Sequence, residues 1–359
     1  MRYPEFLTST GTIGFVAPSL GCATEPYISR FASAQKKLTA LGHRFQFGPN
    51  CSICEGIGIS NTPAKCGDEL NTMYKSADND AIISCGGGEM MCEVVPFMDF
   101  EKIRNSKPKW YMGYSDNTNF TFTSATLADT AAIYGPCIGD FGMEPWHEAV
   151  ADAYGLLTGS KLHFKNYSQW ELDSEDDAPA NAPYHVTEPT VMKAFVPGYD
   201  DLELGSSPTD ASGAPDLVRF EGRLIGGCMD CLENLIGTPY DKVADFAERY
   251  KEDGIIWFLE ACELNVFSIR RTIWHMKSAS WFKHVKGFLF GRPGIYGEEL
   301  FGLDQYRAVT DLLSEFGVPI LMDLDIGHHP PMIPMLCGGY GKVEFSEKEN
   351  RFEIEYELK

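Results

Sequence analysis

A serine at the end of a short apolar run is the first candidate for chemistry. Ser115 lies in the pentapeptide Gly-Tyr-Ser-Asp-Asn, two residues after the end of the apolar run Trp110–Gly113 and before the helix-like stretch Thr118–Ala128. A serine on a strand-to-helix turn is exposed for nucleophilic attack, and the helix N-terminus beyond it favours developing negative charge. Asn117 stands where the hydrolase elbow motif has its second glycine. Because Ser-Asp before a helix is also an ordinary N-cap, the pentapeptide alone leaves both interpretations open.

A glycine triplet, Gly86–Gly88, follows Cys85 and the apolar run Ala81–Ser84. Backbone N–H groups of such a loop approach a ligand closely, either an oxyanion or a phosphate. The loop lacks the Lys-Ser/Thr ending of a P-loop and the spacing of GxGxxG, so phosphate binding through those motifs is not supported. A tight turn between a strand and a helix is the alternative.

An acid and a base stand near the ends of two further segments. Glu260 follows the apolar run Gly254–Leu259, where a carboxylate either pairs with an imidazole or another charged group or emerges into solvent. His328 lies on a glycine-flanked turn, and the adjacent His329 leaves the choice of base open. A HExxH pattern is missing, which makes a zinc hydrolase the weaker choice. The chain thus offers the nucleophile, base, orienting acid and oxyanion loop that a serine hydrolase needs.

Strand and helix patterns alternate over roughly the first 160 residues, which predicts a doubly wound α/β domain of the Rossmann or flavodoxin type. The predicted strands are Thr12–Ala17, His43–Phe47, Ala81–Ser84, Trp110–Gly113 and Ala131–Tyr134. The predicted helices are Tyr27–Leu41, Pro63–Ser76, Thr118–Ala128 and His147–Leu157. In such sheets ligands bind beyond the carboxyl ends of the strands, where the glycine triplet and Ser115 fall.

Two further regions follow this N-terminal domain of residues 1–165. Residues 166–216 are acidic and rich in Pro, Gly, Ser and Asp, which predicts a linker and mobile loop, either a lid or a solvated connector. Residues 217–359 form a predicted C-terminal α/β domain with a mixed sheet. Its predicted strands are Arg223–Gly227, Gly254–Leu259, Lys286–Phe290, Pro319–Met322 and Arg351–Leu358, and its predicted helices are Met229–Ile236, Val266–Ala279 and Leu303–Phe316.

The acidic composition of the chain argues against anionic partners. The chain has 359 residues and a net charge of −21, so a nucleic acid or a strongly anionic membrane surface is not expected as a partner. The N-terminus lacks a signal-like pattern and no window approaches a membrane span, which predicts a cytoplasmic location. The 11 cysteines are predicted to be reduced thiols. Their two CxxC pairs, Cys51–Cys54 and Cys228–Cys231, lie far apart, so we expect no metal and no cofactor, with a redox role as a remote alternative.

Six segments, taken in order, resemble one family of serine peptidases, which includes the bacterial LD-carboxypeptidases and the MccF-like microcin C self-immunity proteins. The segments are TIGFVAPS, AIISCGGGE, MGYSDNTN, GRLIGGCMDCLENLIGTPY, IIWFLEACE and DIGHHPPMIPMLCGG. The resemblance covers almost the whole chain. It implies a catalytic triad in which Ser115 is the nucleophile, Glu260 the acid and His328 the base.

The same resemblance implies further features of the site and the fold. The oxyanion hole is expected to use the backbone N–H groups of Asp116 and of Gly87 or Gly88. The fold is expected to combine a glutamine-amidotransferase-like N-terminal domain with a C-terminal domain that has a different sheet, with the site between them, in a homodimer. Two positions depart from the family pattern: Cys228 stands where asparagine is usual, and Gly86 where an arginine is usual.

Two substrates and one non-catalytic alternative are compatible with these features. The preferred substrate is an amide joining a peptidyl or aminoacyl group to a nucleotide, because Trp170 in the long 166–216 region offers a ring to stack on a nucleobase. Packing of Trp170 within its own loop is the alternative. The second substrate is the L,D-amide bond of a murein peptide, releasing a terminal D-amino acid. A catalytically silent binding protein on the same scaffold also stays open.

Overall fold

The computed structural model describes residues 1–175, 178–196 and 217–359. These residues form two compact units, each assembled from segments that are distant in sequence. The first unit consists of Met1–Leu162, Asp173–His185 and Met332–Gly338. The second consists of the described residues of His163–Leu172, Val186–Pro331 and Gly339–Lys359. The sequence had predicted continuous domains instead, since local patterns carry no information on which distant segments pack together.

The first unit is organised around a sheet of parallel strands with one antiparallel edge strand. In spatial order its strands are Arg44–Phe47, Thr12–Val16, Ala81–Ser84, Trp110–Gly113, Ala132–Tyr134 and the antiparallel Met335–Cys337. The parallel strands therefore follow the order 2-1-3-4-5, which is that of flavodoxin-like doubly wound domains. Their fully buried runs, such as Ala81–Ser84, are typical of parallel strands that are covered on both faces.

The helices of the first unit end where their sequences stop supporting a helix. Its described α-helices are Tyr27–Ala40, Pro63–Lys75, Phe100–Asn105, Thr118–Ala128 and Glu148–Thr158. Pro63 opens its helix at a position where the missing N–H is not needed, and Gly159 ends another in the left-handed conformation. The sequence patterns predicted these helices to within one or two residues, apart from the short Phe100–Asn105.

The second unit contains a mixed sheet whose central strands are parallel. In spatial order its strands are His163–Lys165, Arg351–Glu357, Tyr340–Ser346, Val218–Cys228, Ile255–Glu260, Val285–Gly291, Ile320–Leu324 and Lys193–Phe195. The described α-helices of this unit are Met229–Leu232, Val243–Arg249, Val266–Ser278 and Gln305–Leu313. Two small pairs, Gln169–Trp170 with Glu188–Pro189 and Glu299–Leu300 with Leu303–Asp304, complete its strands. The mixed α/β class predicted from the sequence is confirmed.

The predicted linker and loop at 166–216 lies partly outside the described residues. Its described parts are not a plain connector, because Lys193–Phe195 pairs antiparallel with Ile320–Leu324 at the edge of the large sheet. Trp170 is likewise buried in a short strand pair. Low local hydrophobicity predicted a linker, but Lys193–Phe195 pairs with a strand more than a hundred residues away, and Gln169–Trp170 pairs with Glu188–Pro189 inside the same region.

No helix among the residues that the structure describes is long and apolar enough to cross a lipid bilayer.

The turn after Trp110–Gly113 holds Ser115 in an unusual backbone conformation. Its φ is +62°, in the left-handed region that non-glycine residues adopt at a cost of about 1–2 kcal/mol. A serine persists there only when the surrounding structure fixes it, and such strain is typical of functional turns.

The strain predicts that glycine at position 115 is more stable than alanine, the reverse of the usual order in a helix. Ser115→Gly should unfold with a free energy about 1 kcal/mol higher than that of Ser115→Ala, because only glycine adopts this φ without strain. Both variants lose the same hydroxyl, so its contacts cancel in the comparison. Urea unfolding followed by circular dichroism measures the difference.

Ser33, inside the helix Tyr27–Ala40, provides the matched control. There Ser33→Gly should be less stable than Ser33→Ala by about 1 kcal/mol, because glycine is a poor helix former. The same order at both positions would contradict a strained Ser115.

Candidate active site

The candidate nucleophile is fixed by the strand before it and the helix after it. The strand Trp110–Gly113 is fully buried, and a short 3-10 turn, Ser115–Asn117, leads into the helix Thr118–Ala128. The backbone N–H of Ser115 donates to the hydroxyl of Tyr134, with an N···O distance of 3.2 Å. Ser115 therefore stands on the tight strand-to-helix turn that an exposed nucleophile requires.

Asn117 has a structural role that the sequence did not reveal. Its buried side-chain amide donates to the carbonyl of Gly86, 2.9 Å away, and its Oδ1 accepts a hydrogen bond from the hydroxyl of Tyr111. A β-carbon at Gly113 would come within 2.7 Å of the Asn117 Cγ, so only glycine fits there. Asn117 thus links the serine turn to the glycine loop. The sequence had marked it only as a departure from the elbow motif.

The glycine triplet lies against the serine. A β-carbon at Gly87 would come within 3.2 Å of the Ser115 Oγ, so a side chain there would crowd the hydroxyl. The Gly87 carbonyl accepts a hydrogen bond from the N–H of Leu20 at 2.9 Å, which fixes the loop. A β-carbon at Gly88 would come within 2.2 Å of the Ser19 Oγ. The backbone of this loop is therefore next to the hydroxyl, as an oxyanion-binding loop requires.

Asp116 stabilises the serine turn through hydrogen bonds of its side chain. Its carboxylate accepts hydrogen bonds from the Ser19 hydroxyl at 2.6 Å, from the Met91 N–H at 2.9 Å and from the Asn119 amide at 3.0 Å. Burial raises the pKa of Asp116 to about 6, although these hydrogen bonds oppose the shift. Because the carboxylate is engaged in these hydrogen bonds, the backbone N–H of Asp116 is its candidate group for binding an oxyanion.

Glu260 ends a fully buried strand in the second unit. The strand Ile255–Glu260 pairs in parallel with Val218–Cys228, and Glu260 lies directly beside Cys228 in the register. The carboxylate is 1% exposed. Gly327 has a φ of +101°, and a β-carbon there would come within 2.6 Å of the Glu260 Oε2. Position 327 therefore needs glycine both for its backbone conformation and because a side chain would clash with the carboxylate.

His328 faces this buried carboxylate. Its Nδ1 lies 2.8 Å from the Glu260 Oε2. Burial by itself lowers the pKa of His328, but the Glu260 carboxylate and a hydrogen bond with Cys262 outweigh it and raise the pKa well above its ordinary value. With Nδ1 directed at the carboxylate, the opposite ring nitrogen, Nε2, is the candidate for proton transfer.

His329 is used differently. Its Nδ1 lies 3.1 Å from the carbonyl of Glu171, and its Nε2 lies 3.1 Å from the carbonyl of Pro293. Burial lowers the pKa of His329. Both nitrogens thus face backbone carbonyls and none faces a carboxylate, so the geometry favours His328 as the base, a choice that the residues alone had left open.

Trp170 lies in packing contacts within the second unit. It is 4% exposed, and its ring centroid lies 4.9 Å from that of Tyr296 and 5.1 Å from that of His329. The guanidinium of Arg292 lies 4.8 Å from the same centroid and is itself paired with the buried Asp325 at 2.7 Å. These contacts favour the loop-packing interpretation of Trp170 over stacking on a nucleobase.

The cysteines of the two CxxC pairs lie in different surroundings. Cys51 is buried and Cys54 exposed in the first unit, whereas Cys228 and Cys231 are both buried in the second. A hydrogen bond with Cys231 and burial raise the pKa of the Cys228 thiol. Within the described ranges, one group of residues has the donor atoms and spacing for a metal ion: Cys228, Glu260 and His328.

The structure therefore brings together two sets of predicted residues. Ser115 lies with Asp116 and the glycine loop in the first unit, and Glu260 lies with His328 in the second. The pairing of the serine with the imidazole is a proposal that rests on chemistry.

Two descriptions of known protein domains match this chain. Residues 13–135 match the LD-carboxypeptidase N-terminal domain, and residues 221–343 match the LD-carboxypeptidase C-terminal domain. Together they span more than half of the sequence and contain all three candidate catalytic positions.

Similar proteins carry both immunity and carboxypeptidase names. The chain is 24% identical to the microcin C7 self-immunity protein MccF of Escherichia coli, over 94% of this chain and 91% of that protein. It is 22% identical to a putative carboxypeptidase of Vibrio cholerae over 98% of both chains. It is 21% identical to a probable murein peptide carboxypeptidase of Bacillus subtilis, over 96% of this chain and 92% of that protein.

Solved structures share the fold. MccF in complex with aspartyl sulfamoyl adenosine matches with a TM-score of 0.78 at 20% identity, covering 99% of both chains. An MccF-like protein from Bacillus anthracis matches with a TM-score of 0.78 at 21% identity, covering 99% of this chain and all of that one. On the two domain matches, this protein belongs to the LD-carboxypeptidase family, peptidase family S66.

Proposed function

We propose that this protein is a serine amide hydrolase that uses Ser115, Glu260 and His328. The observation that carries the proposal is the 2.8 Å contact between the His328 Nδ1 and a carboxylate that is almost fully buried. A buried carboxylate in this position holds an imidazole in one orientation and stabilises its cation. The strained turn at Ser115 beside the glycine loop supports the assignment of the nucleophile.

The proposed reaction follows from these groups. His328 accepts the proton of the Ser115 hydroxyl through Nε2 while the Oγ attacks the amide carbonyl. The N–H groups of Asp116 and of Gly87 or Gly88 stabilise the oxyanion, and His328 then donates the proton to the leaving amine. Water hydrolyses the acyl-enzyme by the same base. The reaction uses no cofactor.

The preferred substrate is an amide that joins a peptidyl or aminoacyl group to a nucleotide. This preference is supported by the similarity to the microcin C7 self-immunity protein and by the fold shared with MccF, which has been solved with a sulfamoyl adenosine. The murein L,D-amide is the second candidate, favoured by the similarity to the probable murein peptide carboxypeptidase. A homodimer, a cytoplasmic location and the lack of nucleic-acid or membrane partners stay predictions.

Product analysis tests the reaction and the substrate together. The protein should release the amino acid from an aspartyl sulfamoyl adenosine-type aminoacyl nucleotide, detected by mass spectrometry. Ser115→Ala should lower the rate on the order of a thousandfold or more, because the nucleophile is gone. Ser33→Ala, which removes a hydroxyl in a helix of the same unit, should keep the activity.

The products separate the candidates. Release of D-alanine from a murein tetrapeptide alone would replace the preferred substrate by the second one. Undiminished turnover by Ser115→Ala would contradict the proposed mechanism, and silence on both substrates would favour a binding protein.

The pH dependence of kcat/KM tests the pairing of His328 with Glu260. The base must be neutral, so activity should rise with pH through the raised pKa of His328, with an acid limb above pH 6.5, the ordinary value. Glu260→Gln removes the negative charge that stabilises the imidazolium, so the pKa falls and the acid limb moves to lower pH. The rate of this variant should fall on the order of a thousandfold or more.

A nearby carboxylate provides the control. Glu263→Gln removes the same charge from an exposed side chain three residues further along, and its acid limb should coincide with that of the wild type. An acid limb that does not move in Glu260→Gln would show that another group controls the profile.

A further inference from the structure

Three different donor atoms converge at the end of the large sheet in the second unit. The Cys228 thiol, a carboxylate oxygen of Glu260 and a ring nitrogen of His328 all lie within 4.8 Å of one another. Sulfur, imidazole nitrogen and carboxylate oxygen are the donors that Zn²⁺ prefers in proteins. With Zn–S near 2.3 Å and Zn–N near 2.0 Å, tetrahedral donors stand roughly 3.5 Å apart, so no pair of these donors needs to approach by more than about 1.3 Å.

The backbone places these donors with little freedom. Cys228 and Glu260 are the last residues of two neighbouring parallel strands and are partners in the register. His328 follows Gly327, whose missing β-carbon lets the turn approach the Glu260 carboxylate. Two of the three donors are thus fixed by the sheet and the third by a tight turn.

Two neighbouring residues, Asp230 and Cys262, contact two of the three donors. The Cys228 Sγ lies 3.4 Å from a carboxylate oxygen of Asp230, and the same oxygen accepts a hydrogen bond from the Cys262 N–H at 2.9 Å. The Cys262 side chain in turn hydrogen-bonds His328. Groups of this kind around a metal site orient its ligands and affect its affinity.

We propose that Zn²⁺ binds to Cys228, Glu260 and His328 and inhibits the hydrolase reversibly. On ligation the thiol proton passes to solvent, and the sulfur, a carboxylate oxygen and an imidazole nitrogen each donate a lone pair to the metal. A neutral imidazole has one unprotonated nitrogen, and that nitrogen ligates the zinc ion. His328 then has no lone pair left to accept the Ser115 proton, so zinc binding and proton transfer by His328 are mutually exclusive. The inhibition rests on the proposed function, whereas the binding does not.

Zinc binding is measured without reference to activity. The chelator-treated, reduced full-length protein should take up about one equivalent of Zn²⁺ in competition with a chromophoric chelator. Co²⁺ in its place should give the near-ultraviolet absorption of a cobalt–thiolate bond. Cys228→Ala and Cys228→Ser should each weaken the binding at least about tenfold and remove that absorption, since the sulfur ligand is lost. Cys54→Ala, which removes an exposed thiol from the first unit, should bind like the wild type.

Inhibition is measured on the substrate that the wild type cleaves. Zn²⁺ should abolish turnover, a chelator should restore it, and the residual activity of Cys228→Ala should resist the same free zinc concentration. Failure of the wild type to bind zinc, or binding that Cys228→Ala and Cys228→Ser retain in full, would overturn the zinc site while leaving the serine mechanism intact. If zinc binds through Cys228 and the Ser115-dependent turnover continues, the inhibitory role is overturned. In that case His328 cannot be at once the zinc ligand and the catalytic base.

Discussion

The contact between Glu260 and His328 is the interaction on which the rest of the site depends. A carboxylate with 1% exposure loses its hydration, and removing the partner of a buried ion pair typically costs about 3–5 kcal/mol. The chain meets this cost with an imidazole 2.8 Å away. The surrounding backbone is adapted to the pair, since a β-carbon at Gly327 would come within 2.6 Å of the Glu260 Oε2. Glycine at position 327 is thus a requirement of the pair.

Buried polar groups also fix the turn that carries Ser115. Asn117 and Asp116 are both buried, yet each has several hydrogen-bonding partners on the loops that surround Ser115. Buried polar groups with complete partners fix a structure more strictly than apolar contacts do. This network is what permits a left-handed φ at Ser115, and it holds the glycine loop at a set distance from the hydroxyl. Rigidity at the turn is therefore generated by residues whose side chains take no part in the chemistry.

Local sequence patterns predicted most of the elements but few of the pairings. Runs such as Ala81–Ser84 are recognisable because both faces of a parallel strand are buried, and the helices between them have clear ends. Met335–Cys337 was not predicted as part of the first sheet, because its partner Ala132–Tyr134 lies about two hundred residues earlier. Glu260 and His328 were linked through the family resemblance, since no local rule joins residues that far apart. The burial of Trp170 was equally invisible, because a tryptophan in an acidic loop has the same local pattern whether packed or exposed.

Cys228 shows how one departure from the family pattern changes what the same backbone can bind. The register places residue 228 beside Glu260 whatever its side chain. An asparagine amide at this place offers strong hydrogen-bond donors to a carboxylate, whereas a thiol is a weak donor and a good ligand for soft or borderline metals. The proposed catalytic pair needs a carboxylate and an imidazole in contact, and those two groups are also zinc ligands. A thiol in place of the amide completes the three-donor set of the proposed zinc site. On this proposal, one substitution beside a pair suited to proton transfer adds metal affinity to the same site.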